Sequence, residues 1–189
     1  MRGVIIADRY PKCMIDIVIT VLEMEDYNSS SLPATAGRAG IASSNLAMMN
    51  LLAGCMTVAS AALVHAGADC LDLLSGGVAA LVQDRGKESK LLTALDPAPL
   101  EHDRILAACV VGYLKSRDEI VELWHTSAAD VSAMIDDEEV TKLMDEAVNA
   151  AKLSRLALVG ALDTRLMADG QSTIRKTEQE RRMDQMDLR

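Results

Sequence analysis

From Ile41 to Val64 the chain carries no charged residue. At the rise of an α-helix such a run is long enough to cross a bilayer, and otherwise the rest of the protein must cover it. Its composition favours the second outcome. Ala, Ser and Gly are frequent, Asn45, Asn50 and Thr57 interrupt it, and no belt of Trp or Tyr flanks it. We expect a helix over Asn45–Ala66 inside a domain, with a single membrane span over 41–64 as a competing reading. Ser43, Ser44 or Asn45 supplies the N-cap, and Gly67 suits the left-handed residue after the last turn. His65 sits in that turn, where the helix dipole favours positive charge. Gly54, Ala53, Ala59, Ala61 and Ala62 keep the helix slender enough to lie close against a sheet.

A slender helix needs a core to match, and the composition supplies an unusual one. The 189 residues, half of them hydrophobic, suffice for one domain with a real core. There is no Phe, one Trp (Trp124) and three Tyr, so Ala, Val, Leu, Ile and Met must fill the interior. Eleven Met point to adaptable packing, inside or at partner surfaces. A net charge of −9 excludes a stand-alone nucleic-acid binder, whose footprint is basic. Any RNA contact then needs a local patch or a partner's charges, and Lys115 and Arg117 are the candidates, against the plainer reading of a solvated turn. The four cysteines (13, 55, 70, 109) form no CxxC pair and the three histidines (65, 102, 125) are scattered, so neither zinc nor any other metal or cofactor is expected. The opening MRGVIIADRYPKC has too short an apolar run for a secretion signal, which makes the expected setting intracellular and reducing.

Along the chain, β-branched residues crowd between Ile15 and Val21, which predicts a strand over 13–23. Residues 25–44 are rich in Ser, Gly, Asn and Pro and read as a long inserted loop. LLSGGVAALVQ reads as a strand in which Gly76-Gly77 marks a bulge or a close backbone approach. No GK[ST] follows, so it is not a phosphate loop. A charged hinge (84–89), a short strand (90–95) and a two-proline loop (96–103) come next. Ile105–Leu114 and Ile120–Trp124 form a hairpin about the KSRDE turn. Asp136 or Asp137 opens a helix whose apolar stripe runs from Val140 to Leu166, with Gly170 expected to end it. Residues 169–189 read as a charged tail, frayed or disordered. The order predicts an α/β (α+β) layered domain, a mixed sheet with covering helices.

Several of these runs resemble a known family. YPKCMIDIVITVLEMED (10–26) resembles the central strand of the RNase PH fold. LLAGCMTVASAALVHAGADCLDLLSGGVAALVQ (51–83) is similar to its next helix and strand. CVVGYLKSRDEIVELWHTS (109–127) resembles its later hairpin, and LMDEAVNAAKLSRLALVGAL (143–162) its closing helix. The matches keep the family's order over most of residues 4–166. The wording is closest to the RNase PH-like ring subunits of the RNA exosome, in particular fungal messenger-RNA transport regulator subunits. The resemblance implies an RNase PH-like, ribosomal-protein-type βαβ layered fold, of which 1–168 would be the back half.

It also implies what such a subunit does. Ring members assemble with one another and with cap subunits around a channel that threads RNA to a hydrolytic nuclease. This chain would contribute shape and interfaces to RNA processing and degradation in nucleus, nucleolus and cytoplasm, with RNA met through the ring and no membrane involved. Phosphorolytic members carry a D-L-x4-D pair of aspartates. Here Asp96 takes the first position, but the sixth residue after it is His102, Asp103 comes one place late, and Pro97 and Pro99 alter the loop. The phosphate-binding arginines of the family precede the region matched. A general acid must be held within hydrogen-bond reach of the leaving oxygen, so no catalytic residue is expected and a phosphate-dependent exoribonuclease is the alternative.

Overall fold

The structure is a computed structural model that describes residues 3–23, 41, 43–83, 91–98, 102, 104–128 and 135–187. Its helices are α1 (Ser43–His65) and α2 (Asp137–Asp187), its strands β1 (Leu74–Gln83), β2 (Leu91–Leu95), β3 (Arg104–Leu114) and β4 (Glu119–Ser127), and a 3-10 turn covers Ala7–Arg9. The strands form one sheet in the order β2-β1-β3-β4. All three pairings are antiparallel, which corrects the expectation of a mixed sheet within an α+β class that otherwise holds. The connections fit this, since β3 and β4 are joined by a tight turn and among the described residues no helix crosses over between paired strands.

Two compact units divide the chain, Met1–Arg155 and Leu156–Arg189. In the first, the sheet separates two apolar layers. Val78, Ala80, Val82, Ala108 and Val110 pack with Leu46, Met49 and Ala53 of α1. Ala79, Leu81, Cys109, Val111 and Tyr113 pack with Leu143, Ala147 and Ala151 of α2. Central strands β1 and β3 are therefore buried on both faces, which is why they read as nearly continuous apolar runs. The second unit is the helical remainder of α2, with Leu156 and Met167 exposed.

Gly76 and Gly77 set the thickness of this sandwich. A Cβ on Gly76 would fall inside the backbone of Ala53 on α1, and one on Gly77 inside the backbone of Ala147 and Ala151 on α2. Successive strand residues face opposite sides, so adjacent glycines admit a helix on each face.

The uncharged polar residues of α1 have a structural use. Among the described residues β2 pairs with β1 only from Ala79 onward, so the first half of β1 has no described strand on that side. There the Leu74 N–H donates to Ser60 Oγ (2.9 Å) and the Gly76 N–H to Thr57 Oγ1 (3.0 Å). Thr57 in turn donates to the Ala53 carbonyl, and the Asp96 N–H donates to the Val78 carbonyl. The helix thus replaces a missing stretch of strand. By length and composition α1 could also cross a membrane, but its Thr57 and Ser60 hydroxyls are spent on the sheet. It ends as expected: Gly67 takes φ +70°, and the Gly67 and Ala68 N–H groups donate to the carbonyls of Val64 and Leu63.

Two expectations fail. Cys13–Glu23 lies outside any helix or strand. Among the described residues its backbone is bonded only at Cys13, whose N–H donates to the Tyr10 carbonyl (3.2 Å). β propensity measures packing against neighbouring strands, and among the described residues this segment has none. Gly170 does not end α2, which continues to Asp187. An interior glycine costs a helix about 1 kcal/mol and stops it only where a left-handed cap forms. The expected loop insertion at 25–44 and the hinge at 84–89 lie almost wholly outside the described residues.

Gly77→Ala should destabilise the protein by about 3 kcal/mol or more, because the obstruction is backbone and cannot repack. Gly54→Ala, at an open helical position, should stabilise it by about 0.5–1 kcal/mol. Thr57→Val should cost about 1–3 kcal/mol by stranding the Gly76 N–H, while Thr57→Ser keeps most of the stability. Denaturant titration of the three variants against wild type measures each.

Candidate interaction surface

Among the described residues no cluster of His, Cys, Asp and Glu could hold a metal ion. Asp96 is exposed just after β2, at φ 47°. His102 is half-buried, and Asp103 and Pro99 lie outside the described residues. Burial pushes the Cys109 thiol up to about 11, so at neutral pH it is protonated. Partial burial, reinforced by the Asp69 charge, also raises Cys70. No disulfide links the four cysteines.

Lys115 and Arg117 lie exposed in the turn between β3 and β4. Arg117 is 4.0 Å from Glu119, which offsets part of its charge. The turn is fixed from below by Asp72, just before β1. Asp72 accepts from the Ser116 N–H (2.8 Å), from the Leu73 N–H (2.7 Å), and from Arg155 Nη2 of α2 (3.0 Å). Partial burial alone would raise the Asp72 carboxyl, but these bonds and the Arg155 charge outweigh it and hold the group below the usual range. Beside it, Tyr113 Oη donates to Asp118, which takes φ 50°. That bond, with burial and the carboxylate charges, raises the phenol. Lys152 stands 5.3 Å from the Tyr113 ring centre. Sequence reasoning missed this network because Asp72 and Arg155 are distant in the chain and neither stands in a local motif.

What the fold leaves open is apolar and lies along sheet edges. Among the described residues strand β4 pairs only with β3, and Ile120, Leu123 and Trp124 on it are 40%, 47% and 56% exposed. Leu91, Leu92 and Leu95 are exposed along β2 at the other edge. Met48 and Val58 are exposed on α1. Long apolar edge strands are templates for another chain, and an exposed Trp on one is a typical interface anchor. Apolar side chains thus stand exposed along both outer strands of the sheet.

No family model matches the chain. It is 43% identical over 162 residues to the "Exosome complex component MTR3" of Chaetomium thermophilum, a match covering 86% of this chain and 53% of that protein. The chain thus spans about half the length of the curated relative it matches.

Asp72→Asn should cost about 2–3 kcal/mol near neutral pH, since Arg155 would stay largely buried with a weakened partner. Because folding depresses the Asp72 pKa, its contribution is full above the unfolded value of about 3.9 and fades as pH falls through the folded one. Acid titration monitored by circular dichroism should therefore show the variant and wild type converging below about pH 4.

Proposed function

The chain is homologous, over 86% of its length, to part of an exosome complex component, and from that kinship we propose that it is a non-catalytic structural subunit of the RNA exosome core ring. Residues 1–168 would be the partial RNase PH-like domain and 169–189 a charged appendage. Its partners would be the other RNase PH-like ring subunits and the cap subunits. RNA would be met only through the assembled ring, during 3'-5' processing and degradation in nucleus, nucleolus and cytoplasm. The observation that carries this is the 43% identity. The exposed apolar edges at β2 and β4 support a role exercised through contact, and the acidic balance of −9 argues against independent RNA binding. His102 standing where the second aspartate of phosphorolytic relatives is expected supports the absence of catalysis.

Co-expression with the remaining ring subunits should recover this chain in a stoichiometric complex. Trp124→Ala should weaken its incorporation by about thirtyfold, the loss of one anchor of about 2 kcal/mol, without changing its circular dichroism spectrum. Purified chain given RNA and inorganic phosphate should release no nucleoside diphosphates. Release that disappears in Asp96→Ala would establish the phosphorolytic alternative instead.

A further inference from the structure

We draw no further inference here: the strongest candidate, the apolar patch on the outward face of α1 where Met48 and Val58 are exposed and Leu51 and Cys55 half-buried at spacings of three and four residues, is an unpartnered helix face, and nothing in the structure shows what covers it.

Discussion

The close approach of two helix backbones to adjacent residues of one strand is the constraint on which the rest of this structure depends. Gly76 faces Ala53 of α1 and Gly77 faces Ala147 and Ala151 of α2, with no room for a side chain at either glycine. Once both helices lie that near, the layers between them must be thin. Ala79, Ala80, Ala107 and Ala108 then sit fully buried at the centre of the sheet. A Phe there would force the layers apart, and the protein has none. The aromatic poverty of the chain and the glycine pair are two expressions of one geometry.

The same proximity lets short side chains do what a strand does elsewhere. Ser60 and Thr57 reach the β1 backbone only because α1 lies close to it. Their hydroxyls satisfy N–H groups that β2 is too short to pair, and buried backbone donors left unpaired are costly. Residues that lower the hydropathy of α1 are thus part of the reason it stays with the sheet. Asp72 does comparable work just before the same end of β1, joining the hairpin turn and α2 through one carboxylate. The chain is most tightly specified around β1 and least around its two outer strands, where the apolar side chains lie open.

Much of this was legible in order and kind. Gly67 announced the end of α1, KSRDE the turn between β3 and β4, and Gly76-Gly77 a close approach, because glycine and turn chemistry act over a few residues. The segment 13–23 was misread for the opposite reason. Its β-branched residues declare an affinity for a ladder, but a ladder needs a neighbour and the sequence of one strand does not supply it. Gly170 was misread because a glycine ends a helix only with the carbonyl partners of a cap. As to the surface, Lys115 and Arg117 were found by their charge, whereas the exposure of Trp124 depends on β4 being last in the sheet.

By itself the sequence determined the identity of most elements, the small-residue core and the likeness to an exosome complex component, since each is written in runs of neighbouring residues. Only the tertiary structure decided that the four described strands pair antiparallel, that α1 hydroxyls stand in for part of a strand, and that Asp72 meets Arg155. Those are encounters between distant residues, settled by which backbones can approach closely enough to exchange hydrogen bonds.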